Sequence, residues 1–344
     1  MSSTPWQRFK QAAALGEPDQ VPVALIADSP WLPGYAGIDT LEYFLFPDRW
    51  LEIQLELRER FPDAVWIPDF WVEYGMAAEP SAFGARVHFR LDSPPSIEPV
   101  VTSLDHWADA PIPDVKEAGF MPLVLRHYQN VEARLQAEGL GVKVVAARGP
   151  LVTAGWIMGI TDLMMGVVMA PDKVAKFLDK TTTMIIRWLH AQLDVITEPE
   201  GIMLLDDIVG MVSLKHYEQF AEPYLRRIFD EFEGLVRIYH NDTPCEHLYP
   251  ALTNANFDVF NFTHKADIAK VKELMGHRVA LMGNVDPLNV GVRGTAEEVE
   301  QAAITCLDKA AAGGGLILSV GGGISPGMPA ENVDAILRAA RGWQ

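Results

Sequence analysis

Cysteine is nearly absent from this 344-residue chain: Cys245 and Cys306 are the only two. That is too few for a disulfide framework and in keeping with a reducing compartment. Positive charge is also in short supply. Lys and Arg number 28 against 46 Asp and Glu, a formal net charge of −18, which argues against nucleic acid or an anionic membrane face as the main partner. Long hydrophobic runs are missing too. The most apolar stretch, Met158 to Met169, is broken by Gly159, Asp162 and Gly166 and is too short to span a bilayer. The opening segment MSSTPWQRFKQAAALGEPDQ lacks the apolar centre of a secretory signal, so a cytoplasmic protein is expected. What is present is ordinary for a globular chain: 49% apolar and 22% charged residues exclude disorder.

Short β-branched runs alternate with longer amphipathic segments, the pattern of βα units around a parallel sheet. Candidate strands are Val21–Ala27, Ala64–Pro68, Val142–Ala146, Ile202–Leu205, Val236–Tyr239, Val259–Phe262, Val279–Met282 and Leu316–Val320. Tyr217, Phe220, Tyr224, Ile228 and Phe232 fall at helical steps and predict one helix over Lys215–Phe232. Thr295 with Glu298 reads as a capping box, and Ala330–Ala340 as a closing helix. Eight such strands in one chain of this size predict a single (β/α)8 TIM barrel over residues 1–344, with an open doubly wound sheet as the competitor. An N-terminal extension precedes it. The proline-rich stretch 76–113 reads as an insertion leaning over the mouth.

In such a barrel the chemistry lies at the carboxyl ends of the strands. The residues there are Asp69 in WIPDFW, Arg148 in AARGP, Asp206 and Asp207 in LLDDIVG, His240 and Asp242 in YHNDT, His264 in FTHK, Asn284 and Asp286 in GNVDP, and the triplet Gly321 to Gly323. His240 and Asp242 are the sharpest pair: on an extended segment, positions i and i+2 point the same way and suit a shared metal, or else a plain hydrogen-bonded pair. Cys245, three residues on, is a weaker ligand candidate. Adjacent Asp206 and Asp207 face opposite ways if extended, one toward the pocket and one capping the next turn. GNVDP and GGGISPG offer amides to an anion, or simply tight packing. Met158, Met164, Met165 and Met169 read as core filler, or as a Met-rich mouth for a flat apolar ligand. His190 and His216 read as surface residues.

Taken together, RGPLVTAGWIMG, LLDDIVGMVSLKHYEQFAEPYLRRI, YHNDT, VALMGNVDPLNV and LSVGGGISPGMPAENVDAI resemble the uroporphyrinogen decarboxylase superfamily of (β/α)8 barrels. Within it the chain is most similar to the corrinoid-dependent methyltransferases, of the methylcobalamin:coenzyme M methyltransferase kind. The decarboxylases carry an N-terminal R-Q-A-G-R-Y-L-P-x-Y. Leu32, Pro33 and Tyr35 match its end, but Ile26 and Pro30 stand where the arginines belong. A polycarboxylate substrate needs guanidinium partners, and apolar residues cannot replace them. Asp69 matches the family's active-site aspartate, and the decarboxylases' C-terminal histidine falls on Gly322. Thiol-methylating relatives hold zinc through H-x-C after the fifth strand and a cysteine in a G-C-G turn after the eighth; those positions are His240, Asp242 and Gly322 here.

Exchanging thiolate for carboxylate hardens a bound ion and makes it a better Lewis acid toward oxygen. The resemblance therefore implies a corrinoid-linked methyltransferase that demethylates an oxygen substrate such as an aromatic methyl ether. Zinc would sit on His240 and Asp242, with Asp69, Asp206, Asp207 and His240 as catalytic candidates. Trp31, Tyr35, Trp71, Arg148, Asn284 and His264 are the substrate-binding candidates, with Trp66 and Trp156 adding to an aromatic entry. The corrinoid, as methylcobalamin, would come on a carrier protein, and family likeness implies a homodimer. The alternatives are a decarboxylase or other lyase using Asp69, and a non-catalytic corrinoid- or tetrapyrrole-binding barrel.

Overall fold

Eight short strands carry the architecture of the computed structural model, which describes residues 3–100 and 102–343. They are β1 (Val23–Leu25), β2 (Ala64–Trp66), β3 (Val144–Arg148), β4 (Gly201–Leu205), β5 (Val236–Asn241), β6 (Val259–Phe262), β7 (Ala280–Val285) and β8 (Leu316–Val320). All pair in parallel, in the order β2-β1-β8-β7-β6-β5-β4-β3. Each strand lies beside its sequence neighbour, and β1 also lies beside β8, as successive βα units winding in one direction require. The sheet curls. Alternate residues of every strand, including Ala24, Val65, Val144, Met203, Ile238, Val259, Ala280 and Ile317, meet in one inner cluster. Among the described residues, no ladder joins the two edges β2 and β3.

The strand boundaries differ from the sequence reading where polar residues continue a ladder. His240 and Asn241 pair with Asn261 and Phe262, so β5 runs past Tyr239. Asn284 and Val285 pair with β8, and Arg148 pairs with Leu205. Polar side chains at these positions, His240 and Arg148 on the cavity and Asn241 and Asn284 bonded to backbone carbonyls, are why period and composition alone ended the strands early. The helix expected over Lys215–Phe232 is two, Leu214–Phe220 and Glu222–Glu231. Pro223 explains the break: it has no N–H for the preceding turn and starts the second helix instead. The capping box forms, with Glu298 N donating to Thr295 Oγ1 (3.3 Å) and Thr295 N to Glu298 Oε2 (2.8 Å).

The helix Pro5–Ala13 closes the amino end of the sheet. Its own capping box joins Thr4 and Gln7, and Phe9, Ala12 and Ala13 enter the inner cluster. Lys10 pairs with Glu200, just ahead of β4, and Lys143, just ahead of β3, pairs with the same carboxylate. At the opposite end, the insertion folds into a hairpin (Arg86–His88 with Ser96–Glu98) and the helix Leu104–Asp109. Val100 N donates to Ile157 O at 2.8 Å, tying this strap down beside the mouth.

The methionine reading is corrected in part. Met158 is buried, but Met165 and Met169 are 51% and 82% exposed on the helix Ile160–Met169. Among the described residues, no single helix is long and apolar enough to cross a membrane; the apolar helices Pro150–Met158 and Ile160–Met169 bend by 108° at Gly159. Because Phe9 is fully enclosed, Phe9→Ala should cost about 3–5 kcal/mol, the usual range for deleting a buried aromatic. Urea denaturation at neutral pH measures it, and a loss below 1 kcal/mol would show that the plug is dispensable.

Candidate active site

Asp207, His240 and Asp242 converge at the carboxyl ends of β4 and β5. One ligand atom from each lies within 4.8 Å of the others, with His240 Nε2 at 3.5 Å from Asp207 Oδ1. The orientation of His240 follows from β6. Asn261 is fully buried and its Nδ2 donates to Met282 O (2.9 Å), so its Oδ1 is left to accept from His240 Nδ1 (2.7 Å). With the proton on Nδ1, Nε2 presents a lone pair. Nε2 and the two carboxyl groups thus turn toward one another as three candidate ligand atoms for a cation.

The backbone holds this arrangement firmly. Asp242 N donates to Asp207 Oδ1 (3.1 Å), and Thr243 Oγ1 donates to Asp207 O (3.0 Å). A Cβ on Gly210 would stand 1.8 Å from Thr243 Oγ1, so only glycine lets these loops meet. Gly322 has φ +102°, and a Cβ there would fall 2.7 Å from Asp242 Oδ2. Burial pushes the Asp242 carboxyl above its ordinary pKa; His240 opposes this and Asp207 adds to it.

The residues suit a metal ion. One imidazole and two carboxylates form a three-ligand set of the kind that leaves a coordination position open in catalytic zinc sites. The Asn261 contact is the outer-shell hydrogen bond that such a histidine normally makes. The cluster opens into a cavity of about 460 Å³, a size for a small organic molecule. Ile26, Pro94, Pro95, Ile97 and Trp156 supply its apolar wall, while Asp28, Glu73 and Arg148 add charge. Arg148 is largely engaged: Nη2 donates to Gly75 O (3.1 Å) and the guanidinium lies 5.1 Å from the Trp71 ring centroid.

Several expected site residues lie elsewhere. Asp69 is not at the mouth: it pairs with Arg58 at 2.6 Å and accepts from Lys143 N at 3.3 Å, spanning the seam between β2 and the start of β3. Burial raises the Asp69 carboxyl above its ordinary pKa, and the Arg58 guanidinium opposes that rise. Asp206 turns away from the cavity and accepts from Leu151 N (3.0 Å) and Val152 N (2.8 Å), capping the helix after β3. Trp31 is 1% exposed and donates to Met328 O, with Tyr35 packed on it. Trp66 and Trp71 are buried, so Trp156 alone of the expected aromatic entry lines the cavity.

Asn284 braces the backbone at Thr263 O and Ala266 O, and His264 faces Asp286 at 3.6 Å. Neither borders the cavity. Cys245 is fully buried, its thiol pushed up to about 12 by burial, which leaves it a neutral apolar filler. The sequence reading missed Asp28 and Glu73. Asp28 carries the same signal as the others, a charged residue just past a strand. Glu73 has none, because the loop after β2 brings it to the mouth from well beyond the strand end.

The family model for uroporphyrinogen decarboxylase (URO-D) matches residues 4–343, and the chain belongs to that family. A uroporphyrinogen decarboxylase of Pseudoalteromonas translucida is 26% identical over 76% of this chain and 74% of its own length. A methylated-thiol–coenzyme M methyltransferase of Methanosarcina mazei is 23% identical over 78% of this chain and 71% of its own. Among solved structures, a methyltransferase from Methanosarcina mazei superposes with a TM-score of 0.84 at 21% identity, covering 98% of each chain. That likeness speaks for the fold.

Two results would test this geometry. Asn261→Ala should weaken zinc binding about 10–100-fold by calorimetry, because Nδ1 loses the acceptor that orients the ring; unchanged affinity would discard the cluster as a metal site. Asp206→Ala should cost about 1–3 kcal/mol for each amide left unpaired while leaving zinc affinity intact.

Proposed function

We propose that this family member is a methyltransferase, a (β/α)8 barrel that removes methyl from an oxygen substrate and passes it to a reduced corrinoid carried by a partner protein. The observation that supports it most is the donor set: His240 Nε2, Asp207 and Asp242, with no sulfur among them. An ion held there, zinc being the natural candidate, would supply Lewis acidity to the oxygen of a methyl ether, whose departure as an alkoxide or phenoxide is otherwise slow. His240, fixed by Asn261, and Asp207, fixed by the Asp242 amide, hold the ligand atoms in place before substrate arrives. Trp156, Ile26 and Ile97 give an aromatic ring an apolar surface, and Pro94 and Pro95 cover it from the strap.

The reading of Gly322 fits the same picture. Where the resemblance places a cysteine ligand, the Asp242 carboxylate fills the space a side chain would need. The loss of that thiolate and the gain of a carboxylate at position 242 belong together, with Asp207 making the third ligand. Decarboxylation of a polycarboxylate pyrrole is disfavoured by charge. The cavity offers one guanidinium, Arg148, already engaged by Gly75 O and the Trp71 ring, so several substrate carboxylates would find too few cationic partners.

Metal analysis with a methyl-transfer assay tests the proposal. Protein as isolated should carry about one zinc per chain and, with a methoxylated aromatic, should methylate a reduced corrinoid followed by its visible spectrum. A chelator should abolish transfer and zinc restore it, and His240→Ala should remove both metal and transfer. Metal-free protein that transfers equally well, or release of CO2 from a pyrrole carboxylate, would overturn it.

A further inference from the structure

A second charged group faces the same cavity from the other wall. Asp28 follows β1, four places along the sheet from β5, and so stands across the mouth from His240 and Asp242. Its backbone is fixed: the carbonyl accepts from Trp31 N (3.0 Å) and Leu32 N (2.9 Å). Its carboxyl, by contrast, makes no hydrogen bond to another of the described residues. The adjacent Glu73 is spent, since Oε1 accepts from Ser29 N (2.9 Å) and Oε2 from Gly75 N. Two carboxyls share this wall, and only one of them is bound by amides that favour its ionised form.

We propose that the Asp28 carboxyl is the acid that protonates the departing oxygen, acting from the wall opposite the Asp207–His240–Asp242 cluster. This rests on the ether-demethylating reading above and names the leaving-group acid for it. The bond between methyl carbon and oxygen breaks and its electron pair stays with oxygen. The methyl carbon is taken by the electron pair of the reduced corrinoid on the partner protein, and the oxygen receives the Asp28 proton and leaves as a phenol. The Asp28 carboxylate then recovers a proton from water.

The surroundings suit an acid. Burial first, and then the Glu73 charge, raise Asp28 to about 8, with Arg148 opposing; Asp207, His240 and Asp242 face it across the cavity. The group therefore holds its proton at neutral pH and loses it as pH rises through about 8.

The test compares wild type with Asp28→Asn, a near-isostere, on two aryl methyl ethers. With methoxybenzene, whose leaving group is basic, kcat should fall about 10²–10⁴-fold, the usual worth of a positioned acid. With 4-nitromethoxybenzene, whose phenoxide leaves without a proton, the fall should be about tenfold or less. Zinc uptake should match wild type, showing the fold intact. Independently of turnover, infrared difference spectra between neutral and alkaline pH should show a protonated carboxyl that Asp28→Asn lacks. Equal losses on both ethers, or no such carboxyl, would overturn the acid role while leaving methyl transfer standing. Wild-type protein inert toward both ethers would overturn the underlying reading as well.

Discussion

A histidine that donates through one ring nitrogen can only accept through the other, and the site is organised around that fact. Asn261 is locked by the Met282 carbonyl, so its oxygen takes the His240 proton and Nε2 meets two carboxylates as a bare lone pair. Asp207 and Asp242 are in turn positioned by the Asp242 amide, which ties the end of β5 to the turn after β4. The contact that looks like support for an imidazole ring is what turns three neighbouring side chains into a place for a cation.

The departures from the family pattern make sense as one change rather than several. The resemblance sets Ile26 where the decarboxylases carry an arginine and Asp242 where thiol-methylating relatives carry a cysteine, and Gly322 adopts a left-handed φ with the Asp242 carboxylate in the room a side chain would occupy. Gly322 without Asp242 would leave a hole, and a bulkier residue with Asp242 would collide. Such coupling would let a framework keep its histidine while a hard donor takes the place of a soft one.

Much of the fold was legible in the sequence. All eight strands are where β-branched runs place them, because a strand buried on both faces has to be apolar along its length. Boundaries were less legible at His240, Asn241 and Asn284, where a polar side chain continues a ladder toward the mouth. At the site, His240 and Asp242 were readable from their spacing, and Asp207 only as half of an ambiguous pair. Asp69 misled because a carboxylate after a strand normally points to the mouth; here the chain after β2 turns back, and Arg58 claims it at the seam. Arg58, Glu73 and Asn261 reach their partners through tertiary packing, which a local pattern cannot reveal.

The acidity of the mouth is a local property and not a sample of the chain's net charge of −18. Most of the other acidic residues lie on the solvated surface, where a pair of charges contributes little. Around the cavity the carboxylates sit against Trp156, Ile26 and Ile97, so their fields are less screened. A divalent cation on Asp207 and Asp242 would neutralise that wall, leaving Asp28 and Glu73 balanced only in part by Arg148. With Asp28 protonated, Arg148 faces only Glu73, whose carboxyl is also raised above its ordinary pKa by burial. An uncharged aromatic ether, as proposed, would meet little net charge on that wall. If the proton is delivered as proposed, the product leaves as a neutral phenol, and the charge that returns to Asp28 stays on the wall until water supplies the next proton.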